Sequence, residues 1–150
     1  MKFRTRKLVK HCDLNPAGTL FGGRALEWID EEAAIYSLCQ LKFPTHLVTK
    51  AMSKIDFKAP ARLGDIVEIG MDTVAVGTTS ITVACTLRNK RTTEIILRVD
   101  KIVFVNLGPD GKPSPHDVEW VQPYDNAVYY TDGFGNSIVS RNGLQDFLVE

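Results

Sequence analysis

Asn15-Pro16-Ala17-Gly18-Thr19-Leu20-Phe21-Gly22-Gly23, running on into Arg24-Ala25-Leu26-Glu27-Trp28-Ile29-Asp30, is the stretch that decides the fold. Its first half is rich in turn formers and stops at two glycines; its second half has the apolar spacing of a helix. The pattern predicts a helix from Gly22 to Gln40, ending before Pro44, which cannot continue it. Wound at about 100° per residue, this helix gathers Leu26, Ile29, Asp30, Ala33, Ala34 and Ser37 on one face. Asp30 is therefore expected in the middle of a mostly apolar stripe, where a carboxylate is costly unless it is hydrogen-bonded or employed. Trp28, Ile35 and Leu38 make the far side apolar as well. A helix apolar all round is normally wrapped by other structure.

Outward from the helix the period changes to two. Strands are predicted over residues 2–12, 46–58, 66–76, 80–90 and 94–107. The fourth alternates cleanly, with Ile81, Val83, Cys85 and Leu87 on one face and Thr82, Ala84, Thr86 and Arg88 on the other. Short turns between the later strands imply antiparallel neighbours. The expected class is α+β, a long central helix wrapped by an antiparallel sheet of about five strands, over residues 1–117. Residues 118–150, with Trp120, Tyr124, Tyr129, Tyr130, Phe134 and Phe147 among Asp, Asn and Gly, form a C-terminal extension expected to pack on that domain or on a neighbouring subunit.

Composition narrows the function classes. Lys plus Arg and Asp plus Glu each number 18, so formal net charge is zero, which argues against a nucleic-acid binder relying on bulk positive charge. No apolar run approaches the ~20 residues of a membrane helix, so no membrane partner is expected. Met1-Lys2-Phe3-Arg4-Thr5-Arg6-Lys7 lacks the apolar core of a secretory signal. Cys12, Cys39 and Cys85 are odd in number, far apart and without a Cys-x-x-Cys pair, which points to free thiols in a reducing, cytoplasmic setting. His11 and Cys12 would face opposite ways in a strand and so make no catalytic pair. The histidines His11, His46 and His116 have no metal-ligand spacing, and no metal is expected.

Asn15-x-Ala17-Gly18-x-x-Phe21-Gly22-Gly23 followed by Ile29-Asp30-Glu31 resembles the signature of the hotdog-fold acyl-CoA thioesterases of the YciA-like and cytosolic acyl-CoA hydrolase type. The resemblance continues in order through Val48-Thr49, Phe57-x-x-Pro60, Gly64-Asp65, Gly77-Thr78-Thr79-Ser80 and Asp110-Gly111-Lys112-Pro113. Two departures stand out. Glu31-Glu32-Ala33-Ala34 replaces a stretch that has glycines or other small residues in many relatives, and Arg24 stands where an apolar or uncharged residue is commoner.

The resemblance implies hydrolysis of an acyl-CoA thioester to a carboxylic acid and CoA. Helix-start amides have no intrahelical partner and sit at the positive dipole end, so Gly23, with Gly22 shaping the approach, is expected to polarise the thioester carbonyl. Asp30 would activate water as general base or attack directly through an anhydride. By resemblance, Asn15 of one subunit faces the acid of another across a dimer interface and orients the water. Val48, Thr49 and Ala51 would line the pantetheine channel, and Thr78, Thr79 and Ser80 would contact the nucleotide. Lys58, Arg62, Arg88, Lys90 and Arg91 are candidate phosphate partners, though each is a surface cation by default. No cofactor is required beyond coenzyme A as part of the substrate, and a homodimer or trimer of dimers is implied. The alternatives are a hotdog hydratase or dehydratase, disfavoured because no histidine falls at the helix start, and a non-catalytic acyl-CoA sensor, which would not need Asp30.

Overall fold

The computed structural model describes residues 1–44, 46–118, 127–131, 137–141 and 144–148. The chain divides into two compact units between Val118 and Glu119.

The first unit contains β1 (Lys2–Leu8), a short 3-10 turn (His11–Asp13), α1 (Gly22–Gln40), β2 (Leu47–Phe57), β3 (Ile66–Val76), β4 (Ser80–Asn89) and β5 (Ile95–Asn106). Its strands form one antiparallel sheet in the order β1-β3-β4-β5-β2, so β1 and β2 are the edges. The first strand is shorter than expected. It stops at Leu8 because Val9 leaves the ladder to bond with the Gly64–Asp65 turn, and His11–Asp13 closes into a 3-10 turn held by Asp13. The second unit carries a separate three-stranded antiparallel sheet, β6 (Ala127–Thr131), β7 (Ser137–Arg141) and β8 (Leu144–Leu148), where the sequence pattern predicts no elements. Trp120, Tyr124 and Phe134 of the extension lie outside the described residues.

α1 packs against β2, β3, β4 and β5. Ile81, Val83, Cys85 and Leu87 all point into the core, as the alternation of β4 required, and they meet Val67, Ile69 and Met71 of β3 and Val99, Ile102 and Phe104 of β5. The helix contributes Ala25, Trp28, Ile29, Ala33 and Ser37. This corrects two expectations. The buried stripe runs through Ala25, Ile29, Ala33 and Ser37 at spacings of four, which leaves Asp30 half-buried at its margin rather than at its centre. Ile35 is half exposed, because one sheet covers one side of the helix and Ile35 lies on the other.

Burial also sorts the thiols. Cys85 lies in the core, and desolvation, with a smaller contribution from Glu32, pushes its thiol up to about 12. Cys12 and Cys39 are exposed and free. A thiol needs its thiolate to react. Titration with a disulfide reagent at neutral pH is therefore expected to modify Cys12 and Cys39 promptly and Cys85 only after unfolding. Prompt modification of Cys85 in the native protein would contradict this packing.

Candidate active site

Loop 14–20 is a closed structure in its own right. Leu14 and Leu20 bridge its ends, and Gly18 takes φ +75°, a conformation that suits glycine. Asn15 sits at the centre. Its Oδ1 accepts the N–H groups of Ala17 at 3.0 Å and Thr19 at 3.1 Å, and its Nδ2 donates to Thr19 Oγ1 at 3.0 Å. The side chain thus mimics backbone and sets the turn. Among the described residues of a single subunit, no hydrogen bond joins Asn15 to Asp30.

The loop leads to Phe21, the residue capping α1, whose side chain makes no hydrogen bond to the helix end. The first amides of the helix, those of Gly22 and Gly23, have no intrahelical acceptor available to them. Two aromatic rings lie over these glycines. A methyl group placed on Gly23 would come within 2.6 Å of Phe21 Cε1, and one on Gly22 within 3.2 Å of the Phe57 ring. Both aromatic residues are themselves more than half exposed, at 55% each.

Asp30 is the seventh residue beyond Gly23, about 10 Å along the axis at 1.5 Å per residue. Helical side chains tilt toward the N-terminus, so the carboxylate leans back over that gap. Thr49 Oγ1 donates a hydrogen bond of 2.8 Å to Asp30 Oδ1, tying the helix to β2. Thr49 was expected to line a substrate channel; its bond to the acid had no sequence signal, because only the folded register brings residues 30 and 49 together.

Val48, Thr49 and Ala51 are exposed on the edge strand β2. In the sheet register Val48 pairs with Val105 and Val105 with Ser80, so one cross-strand row holds both groups expected to contact coenzyme A. They stand two strand spacings apart, about 10 Å. The Gly77–Ser80 turn is fixed from behind: the Thr79 carbonyl accepts Asn106 N–H at 2.8 Å, the Thr78 carbonyl accepts His116 N–H at 3.2 Å, and His116 Nε2 lies 2.6 Å from the Gly77 carbonyl oxygen.

Three of the candidate phosphate partners are already engaged. Arg88 and Lys90 both bind Glu68, a buried carboxylate of β3 on the sheet face opposite the helix. Lys58 pairs with Asp56. Arg62 and Arg91 are exposed. Glu68 itself carries no sequence signal, since a charged residue in an alternating strand is ordinarily solvated.

A single helix wrapped by a five-stranded antiparallel sheet, with glycines opening the helix and an acid partway along it, is the hotdog architecture. A model of the Thioesterase superfamily matches residues 17–96, more than half of the protein. The chain belongs to that superfamily, and its class of chemistry is thioester hydrolysis. Among solved structures it is similar to a hexameric hotdog-fold thioesterase of Campylobacter jejuni at 32% identity, over 77% of this chain and 90% of that one, with TM-score 0.67. An apo hexameric acyl-CoA thioesterase is 31% identical over 74% of this chain and 72% of that one, with TM-score 0.65. An acyl-CoA hydrolase from Staphylococcus aureus, solved with butyryl coenzyme A, coenzyme A and coenzyme A disulfide, is 29% identical over 74% and 66%, with TM-score 0.66. No curated protein matches the sequence. Among the described residues, no helix is long and apolar enough to cross a membrane.

Proposed function

We propose that this protein is an acyl-CoA thioesterase of the YciA-like type, with Asp30 as its acid. The observation that carries this reading is the Thr49–Asp30 hydrogen bond, which fixes a half-buried carboxylate between the helix start and the exposed strand β2. In this reading the thioester carbonyl points at the amides of Gly23 and Gly22, where one such donor typically lowers a barrier by about 3–4 kcal/mol. Asp30, with one oxygen held by Thr49, drives attack on the carbonyl carbon through water or by its own carboxylate. The thiolate of coenzyme A leaves. Val48, Thr49 and Ala51 take the pantetheine arm, and Thr78, Thr79 and Ser80 the nucleotide end. Coenzyme A is part of the substrate, and the reading calls on no resident cofactor.

The same reading makes the protein a homo-oligomer, a dimer or trimer of dimers, with active sites at the dimer interface. Support comes from the exposed edge of β2 and from the hexameric state named for two of its structural relatives. Within a single subunit Asn15 serves its own loop; across such an interface its amide would stand near the partner's acid and orient the attacking water. Three free thiols favour a reducing, cytoplasmic location.

The test is thiol release from acyl-CoAs graded from acetyl to palmitoyl. Hydrolysis well above the uncatalysed rate for at least one acyl length is expected. Binding of CoA esters with no release of thiol would replace the enzyme with a sensor.

A further inference from the structure

Asp13 has no part in the chemistry described above, yet its side chain is nearly fully buried, at 4% exposure. Its Oδ1 lies 3.3 Å from Arg24 Nε, and its Oδ2 accepts the N–H of Lys10 at 2.8 Å. Its backbone carbonyl accepts the N–H of Phe21, also at 2.8 Å. The far end of the Arg24 guanidinium holds Glu27 at 2.6 Å. Asp13 therefore grips α1 at two points, Phe21 before the glycine pair and Arg24 after it.

Two successive glycines make the first turn the weakest part of a helix, since glycine loses the most backbone entropy on folding. The usual remedy is a Ser, Thr, Asp or Asn cap, whose side chain occupies the early amides. This helix has no capping hydrogen bond from a side chain and no acidic residue in its first turn. The ion pair supplies order from outside and leaves the amides uncovered by any cap. Arg24 is thereby given a partner.

We propose that Asp13 and Arg24 are positioning residues whose ion pair holds the Gly22 and Gly23 amides in line for the substrate carbonyl. This rests on the assignment of those amides to the carbonyl. It is tested with Arg24→Gln, Asp13→Asn, the double variant and Arg24→Lys, each close in size to the residue replaced. Amide hydrogen exchange of the substrate-free protein is expected to quicken at least tenfold in Arg24→Gln at Phe21 and Ala25, whose N–H groups bond the Asp13 and Phe21 carbonyls at 2.8 and 3.1 Å, and to stay unchanged in β3, β4 and β5. The turnover number is expected to fall about tenfold to a hundredfold, as small misplacements of reacting groups do, with the Kd for coenzyme A within twofold of wild type. The double variant should be no slower than the slower single one, and Arg24→Lys should recover part of the loss. Unchanged exchange at both Phe21 and Ala25 in Arg24→Gln overturns the proposal, as do turnover losses that simply add in the double variant. If the wild type releases no thiol, the functional reading fails by itself, and exchange alone decides the role of the pair.

Discussion

Asp30→Asn is expected to cut the turnover number by about 100- to 10,000-fold, the range a positioned acid–base group supplies, while coenzyme A binds within twofold of wild type. Asparagine has the shape of aspartate and keeps an oxygen that accepts the Thr49 hydroxyl at the place where Oδ1 now does. Geometry is thus retained, and what disappears is the ability to take a proton or to attack. Thr49→Val removes the other half of that contact. The acid keeps its charge but loses its tether, so a smaller fall of about tenfold is expected, on the scale of one net hydrogen bond. Steady-state thiol release read beside calorimetric coenzyme A binding separates the two effects. Turnover in Asp30→Asn above a tenth of wild type would remove Asp30 from the reaction, whatever the superfamily.

The sequence and the structure agree where the controlling interaction is local. Helix α1 begins at Gly22 and ends at Gln40 because turn formers precede it and Pro44 follows, and both signals lie within a few residues of the ends they set. The inward face of β4 follows from alternation alone. Contacts that depend on register or on a distant loop are a different matter. Thr49 meets Asp30 only after β2 has come to the side of the helix, and Asp13 meets Arg24 only after loop 14–20 has closed on itself through Asn15. Glu68 is the clearest case. Its position in an alternating strand marks it for the outer face, and nothing in its neighbours in sequence says that this face is covered there. The cover comes from Arg6, Arg88 and Lys90, together with Phe3, whose ring lies 3.6 Å from the Arg88 guanidinium carbon.

That outer-face cluster leads to the largest expected effect on stability. Glu68 Oε1 accepts bonds from Arg88 Nε at 2.8 Å and Nη2 at 2.7 Å, while Oε2 lies 3.3 Å from Lys90 Nζ and 3.8 Å from Arg6 Nε. Arg88→Met keeps most of the apolar stem but strands a buried carboxylate, and removing one partner of such a pair typically costs about 3–5 kcal/mol. Lys90 and Arg6 still face the charge, and the partly exposed cluster lets water reach the carboxylate once Arg88 is gone, so a smaller loss of about 1–2 kcal/mol in urea unfolding at pH 7 is expected. Acid should act on the same group. Burial by itself would raise the Glu68 carboxyl, but the Arg88 and Lys90 contacts outweigh it and hold the group below the usual carboxylate value. A carboxyl depressed in the folded state stabilises the fold above its unfolded value, and that stability is lost as pH falls through the folded value. Glu68→Gln lacks the titration. The stability difference between wild type and Glu68→Gln should therefore be full at neutral pH and shrink once pH drops below the ordinary carboxylate value. A difference that stayed constant from pH 7 into strong acid would mean that the three cations stabilise the fold by packing alone, and the charge of Glu68 would have no share in it.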